Sequence, residues 1–221
     1  MAEKEPFSVK KYVEGFGRFR ETYYREHESD LVALMDKPQG AKTLMIACSD
    51  SRIDPALKFG AAPGEIFMIR NVASLVPVYT ADGVHHGTSA AIEFAVKSLE
   101  VKDIIILGHA RCGGIHHLLN HSEPQEFLSP WMAIARAAQL RTRRARLQGA
   151  DAQQMCEHEA IKTSLNNLMT FPWIAERVAN GLLKLHGWHV DLAAGALHIL
   201  DDTGSFAAAS PHWNSVERKS H

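Results

Sequence analysis

Cysteine is scarce in this chain. Three residues among 221 are an odd number, and too few for the disulfide framework of a small secreted domain. A reducing compartment, with thiols free for metal, fits that count best. An excess of charge is missing too: 24 Lys and Arg meet 25 Asp and Glu, for a net charge of −1. Such a balance gives no electrostatic reason to expect nucleic acid or an anionic membrane as a partner. No apolar run exceeds the length of a strand, so no transmembrane helix is expected. The opening residues, Met1-Ala2-Glu3-Lys4-Glu5-Pro6, are charged and lack the apolar core of a secretory signal. These absences lead to the expectation of a cytoplasmic protein, long enough for one ordinary domain with helical extensions.

Histidine, by contrast, is plentiful, with thirteen residues. Most must be surface or packing residues, so a site role for any one of them needs a specific partner. Ser8 is placed to cap a helix carrying Tyr12, Phe16 and Phe19 on one stripe to about Arg25, although Gly15 and Gly17 weaken it. A second short helix is expected near Asp30 to Met35, before Pro38-Gln39-Gly40. The continuous apolar run Thr43 to Ala47 reads as a buried parallel strand, as do Glu65 to Arg70 and Asp103 to Leu107. Helices are expected over Gly87 to Leu99, Ser129 to Gln148 and Met155 to Met169, with another opened by Pro172. Two late strands, Trp188 to Leu192 and Ala196 to Leu200, turn around Gly195 and should form an antiparallel edge. Alternating strands and helices predict an α/β fold with a mostly parallel central sheet flanked by helices. The expected division is an N-terminal helical arm over 1–40, the α/β domain over 41–205 and a tail over 206–221.

Two fragments carry the chemistry: Cys48-Ser49-Asp50-Ser51-Arg52 and His109-Ala110-Arg111-Cys112-Gly113-Gly114. Each piece alone has an ordinary reading. Cys48 would be a core thiol, Asp50 and Arg52 a surface ion pair, and His109-x-x-Cys112 a chance spacing. Together the fragments end the first and third strands with the same polarity, where α/β sheets bind ligands. If those two strands are neighbours, two thiols and one imidazole meet where a single Zn²⁺ would collect them. Three protein ligands leave the fourth tetrahedral position open, which marks a catalytic zinc. Asp50 then has two fates: to ligate the zinc and close the site, or to turn to Arg52, whose guanidinium grips a carboxylate with two parallel hydrogen bonds. Gly113 and Gly114 stand at a helix start where backbone amides can approach an anion. Two thiolates cancel the formal charge of the metal, so activity is expected to improve toward alkaline pH.

At these residues the chain resembles a β-class carbonic anhydrase. The first fragment is that family's signature intact, and the second has Ala110 where Ser is more usual. Arg70-Asn71-Val72-Ala73 and Ala91-Ile92-Glu93-Phe94-Ala95-Val96 match further family segments. The resemblance spans about residues 30 to 205 and implies Cys48, His109 and Cys112 as zinc ligands, with Asp50 and Arg52 as the catalytic dyad. It further implies Gln39 as a substrate hydrogen-bond donor and Phe67, Val72, Phe94 and Gly113 as the lining of a small apolar CO₂ pocket. Phe94 stands where Tyr is common. Met45 stands where allosteric members carry Trp, which implies the plant-like type without cooperative bicarbonate inhibition. The implied activity is reversible hydration of CO₂ to bicarbonate and a proton by zinc-bound hydroxide, in a homodimer or dimer-of-dimers tetramer joined through the arm. His85, His86, His116 and His117 are candidate proton shuttles. Two other readings stand beside this one: a hydrolase of carbonyl sulfide or carbon disulfide on the same fold, and a structural zinc protein closed by Asp50. Arg136, Arg141, Arg143, Arg144 and Arg146 form a basic cluster that lacks the interleaved aromatics of a nucleic-acid face, and Cys156 reads as a packing residue.

Overall fold

The structure, a computed structural model, describes residues 8–120 and 123–209. The chain divides into two compact units, Met1–Gly40 and Ala41–His221. In the first, α1 (Lys10–Phe19) runs through a five-residue π-helical turn, Arg20–Tyr24, into α2 (Arg25–Met35). Ser8 Oγ accepts from the Lys10 backbone N–H at 3.2 Å, close to the expected cap. The two expected helices join because the aromatic stripe stacks on itself: Phe16 and Phe19 ring centroids are 5.9 Å apart, and Phe19 and Tyr23 5.6 Å. Those ring contacts outweigh the cost of Gly15 and Gly17.

The second unit is built on a six-stranded sheet. Its strands are β1 (Thr43–Cys48), β2 (Ile66–Asn71), β3 (Asp103–His109), β4 (Lys184–Asp191), β5 (Ala196–Leu200) and β6 (Phe206–Ala208). The order is β2-β1-β3-β4-β5-β6. The first four are parallel, and β5 and β6 complete an antiparallel edge. The expected neighbourhood of the first and third strands holds, with Ala47 opposite Leu107. β4 begins four residues before the expected Trp188. Its polar opening still pairs with β3, Asp103 against Lys184, and His186 Nε2 lies 2.8 Å from Asp103 Oδ1. The expected tail opens with β6, and His212 and His221 lie outside the described residues.

Helices cover both faces of the sheet, which is why β1 over residues 44–48 and β3 over residues 104–108 run apolar without alternation. Leu44, Ile46, Ile104 and Ile106 point to one side, among Val96, Phe171 and Ile174. Met45, Ala47, Ile105 and Leu107 point to the other, against Phe59 and Trp188. The remaining helices are α3 (Pro55–Phe59), α4 (Gly87–Glu93), α5 (Gly113–Asn120), α6 (Leu128–Met132), α7 (Arg136–Arg144), α8 (Gly149–Leu168) and α9 (Pro172–Ala179). α4 ends in a π turn, Phe94–Ser98, and the single helix expected over 129–148 is broken by a 3₁₀ turn, Ala133–Ala135. α8 is longer than expected and lies directly on β3. A Cβ on Gly108 would sit 2.6 Å from Ile161 Cδ1, so any larger residue there requires the Ile161 side chain to shift. Among the described residues, no helix is long and apolar enough to cross a membrane.

Candidate metal centre

Because β1 and β3 run side by side, the turns that follow them converge. Ligand atoms of Cys48, His109 and Cys112 lie within 4.8 Å of one another, and all three residues are buried. The two sulfurs are 3.9 Å apart and form no disulfide. Two thiolates on a tetrahedral zinc at ~2.3 Å would be separated by about 3.8 Å. His109 Nδ1 donates to the Ala110 carbonyl at 3.0 Å, so Nε2 carries the lone pair. That buried atom has no hydrogen-bond partner. An orphaned imidazole nitrogen beside two thiols at this spacing fits a zinc ion.

The electrostatics suit a cation. The Cys48 thiol is lowered to about 4, first by its hydrogen bond with Cys112, against burial, with His109 and the Asp50 amide assisting. The Asp50 N–H lies 3.4 Å from Cys48 Sγ. The same interaction pushes Cys112 up, with burial adding to it. One thiolate therefore forms readily and the second proton leaves when a cation arrives. Burial pushes the His109 imidazole down, but the Cys48 sulfur, the Ala110 carbonyl and Asp50 together raise it, and the net direction is up.

Arg52 holds both oxygens of Asp50. Its Nε donates to Oδ1 at 2.9 Å and its Nη2 to Oδ2 at 2.6 Å, while its backbone N–H also reaches Oδ1 at 2.9 Å. These hydrogen bonds keep the Asp50 carboxyl far below the usual carboxylate range. Arg70, on β2, grips the same fragment from behind: Nε donates to the Cys48 carbonyl at 2.7 Å and Nη2 to the Asp50 carbonyl at 3.0 Å.

A buried pair that sequence reasoning missed supports the second fragment. Glu157 Oε1 accepts from the Cys112 backbone N–H at 3.0 Å and from Gln153 Nε2 at 2.7 Å, and Glu157 Oε2 lies 3.0 Å from His189 Nε2. Both Glu157 and His189 are almost fully buried. Behind them His158 stacks on Phe206 and meets His189 edge to face, and burial lowers the His158 imidazole to about 4. The detectable signal is a histidine flanked by the apolar Trp188 and Val190 in the central part of β4. Cys156, raised by burial to about 11, packs in the core.

Val72 and Gly113 lie beside the cluster. Val72 follows β2 in a turn whose Ala73 and Ser74 have φ of 64° and 56°, held by Ser74 Oγ donating to the Leu107 carbonyl at 2.6 Å. Trp131 Nε1 donates to the Val72 carbonyl at 2.8 Å. An apolar cavity of about 640 Å³ opens here, lined by Val72, Leu128 and Trp131, with His85 and His86 on its wall. His86 pairs with Asp82 at 2.8 Å, and His116 is bonded by Asn120 within α5. Phe67 and Phe94 touch each other, centroids 5.7 Å apart, but not the cluster. Phe67 pairs with Leu44, whereas Cys48 pairs with Asn71, which sets Phe67 roughly 13 Å back along the strand. Gln39 is exposed and belongs to the N-terminal unit. Met45 is buried in the core.

The carbonic anhydrase family model matches residues 43–197. Beta carbonic anhydrase 6, mitochondrial, of Arabidopsis thaliana is 41% identical over 162 residues, which cover 70% of this chain and 55% of that protein. The chain thus spans little more than half the length of that relative. Carbonic anhydrase of Synechocystis sp. is 35% identical over 219 residues, covering 95% of this chain and 77% of that protein. The solved structure of the beta-carbonic anhydrase CcaA is similar with a TM-score of 0.85 and 34% identity, over 91% of this chain and 99% of that one. The matched segment contains both fragments and the sheet that brings them together, and the chain belongs to the carbonic anhydrase family, in its β class.

Proposed function

We propose that the protein catalyses reversible hydration of CO₂ to bicarbonate and a proton, with zinc held by Cys48, His109 and Cys112. The observation that carries this reading is the pairing of both Asp50 oxygens with Arg52, which leaves a three-ligand set. Zinc, when bound, acidifies a water and supplies the nucleophile near neutral pH. Asp50, kept ionised by Arg52, serves as a hydrogen-bond acceptor that orients a proton-bearing group at the open position. Val72 and Gly113 supply an apolar wall for a small linear substrate. Gln39, Phe67 and Phe94 complete the pocket as donor and lining residues. The distance of Phe67 from Cys48 along the sheet supports their arrival from a second copy of the chain, in a homodimer or a dimer of dimers. The buried Met45 supports simple, non-cooperative inhibition by bicarbonate, and the three free thiols support a cytoplasmic setting.

The test is zinc content with rates of CO₂ hydration and carbonyl sulfide hydrolysis, for the native protein and Asp50→Asn, from about pH 7 to 9. Hydration should rise with pH, because two thiolates acidify the bound water less than three neutral imidazoles would. Asp50→Asn should keep its zinc and lose activity by about 10–100-fold. Zinc without hydration at any pH would sink the proposal, and faster sulfide hydrolysis than hydration would move it to the related hydrolase.

A further inference from the structure

The basic cluster on α7 and the turn that follows it divides in the structure. Arg141 is neutralised: it ion-pairs with Glu159, and its Nη2 donates to Thr163 Oγ1 at 2.9 Å. Arg143 and Arg146 instead line a cavity of about 650 Å³, together with Arg111 of the second fragment. Among the described residues, no ion pair within 4.0 Å joins any of these three to a carboxylate, although Arg111 helps hold the Asp191 carboxyl low from a distance, and no Asp or Glu lines the cavity. Its floor is the start of α8, a 20-residue helix whose Gln148 cap makes no side-chain hydrogen bond to the first turn. Free N–H groups there favour an anion.

Two of the three arginines hold strained backbone. Arg111 has φ 57° and Arg146 φ 56°, a region that L side chains rarely adopt. Strain of this kind persists only where surrounding structure enforces it, and it gathers at binding sites. Here both strained residues turn toward one cavity. None of Cys48, Asp50, His109 or Cys112 lines it; Gly113 of the second fragment does, as does Gln153, which donates to the Cys112 carbonyl at 3.0 Å, so the cavity adjoins the metal loop without including a ligand.

We propose that this cavity is a binding site for a phosphate-bearing small molecule, separate from the zinc position. Three guanidiniums from two segments, with the start of a long helix, match the several oxygens and the double charge of a phosphate group. The space lies within the range of small-molecule pockets and exceeds what a bicarbonate ion would fill. The three arginines stand on walls that also carry Leu119 and Leu147, a cleft of small-molecule size rather than a face for a nucleic-acid duplex. The proposal concerns binding alone and stands apart from the hydration reaction.

The experiment is calorimetric titration of the zinc-loaded protein with inorganic phosphate and, separately, with glycerol 3-phosphate, at constant ionic strength and with glycerol as a control. Saturable binding is expected, weakened by about tenfold or more in Arg143→Gln/Arg146→Gln and unchanged in Arg144→Gln, which lies outside the cavity. Tighter binding of glycerol 3-phosphate than of phosphate identifies an organic phosphate, and the reverse identifies the free ion. No saturation by either probe below about 10 mM overturns the proposal. Equal loss in Arg144→Gln also overturns it, because diffuse charge would then explain the binding. Binding that survives the double variant but vanishes in Cys48→Ser would place the ion at the metal and overturn it as well.

Discussion

At the scale of residues, Cys112 is fixed through its backbone: its N–H donates to Glu157 and its carbonyl accepts from Gln153, each at 3.0 Å. Arg70 fixes the first fragment in the same manner, through the carbonyls of Cys48 and Asp50. The metal ligands are thus held by partners that never touch the metal, and such partners set affinity. Glu157→Gln keeps an acceptor for Cys112 but loses the carboxylate oxygen that faces His189 Nε2. It should weaken zinc affinity by about tenfold. Glu157→Ala removes both and leaves the buried His189 Nε2 without its partner, which should cost about 1–3 kcal/mol. Competition with a zinc chelator and denaturant unfolding measure the two effects. Unchanged zinc affinity in both variants would show that Glu157 has no hold on Cys112. The sequence made Cys48, His109 and Cys112 legible because each sits in a short motif at a strand end. Glu157 and His189 were illegible because their pairing depends on α8 lying across β3 and β4, which no local spacing reveals.

At the scale of elements, the strands were the most readable part. β1 and β3 are buried on both faces, and a run such as Ile104-Ile105-Ile106-Leu107 has few alternatives. Helix interruptions were hidden, since Ala133-Ile134-Ala135 is as good a helix former as its neighbours and yields to the packing of buried Met132 and Ala135. Junctions between elements were hidden too, and one of them is tightly built. A Cβ on Gly114 would stand 2.8 Å from Val72 Cγ1 and 3.1 Å from Ala73 Cβ, against a turn already in left-handed conformation. Gly114→Ala should therefore destabilise by about 1–3 kcal/mol and displace Val72 from the cluster. Gly108→Ala is the comparison, because its new methyl meets the Ile161 side chain of α8 rather than the backbone turn at Val72. Thermal unfolding and hydration rates at equal zinc content separate them. Gly114→Ala should lose more activity than Gly108→Ala, and the opposite order would show that the Val72 turn does not shape the site.

At the scale of the whole molecule, the site residues fall into two sets. Cys48, Asp50, Val72, His109 and Gly113 gather at the carboxyl ends of β1 and β3, while Phe67 and Phe94 sit together near the other end of β2. If one pocket uses both sets, two chains must share it, and in a two-fold dimer each would give its zinc to one site and its phenylalanines to the other. Mixing two inactive variants tests this directly. Cys48→Ser lacks the metal but keeps Phe94, and Phe94→Ala keeps the metal but lacks the ring. Phe94 is 47% exposed, so its truncation should leave the fold intact. In a mixed dimer, one of the two sites then combines an intact zinc cluster with an intact Phe94. After dissociation and random reassociation, activity should return to roughly a quarter of that of the native protein, since half of the dimers are mixed and each has one good site. Activity no greater than the average of the two parent variants would show that each chain builds its pocket alone, and Phe94 would then have no part in it.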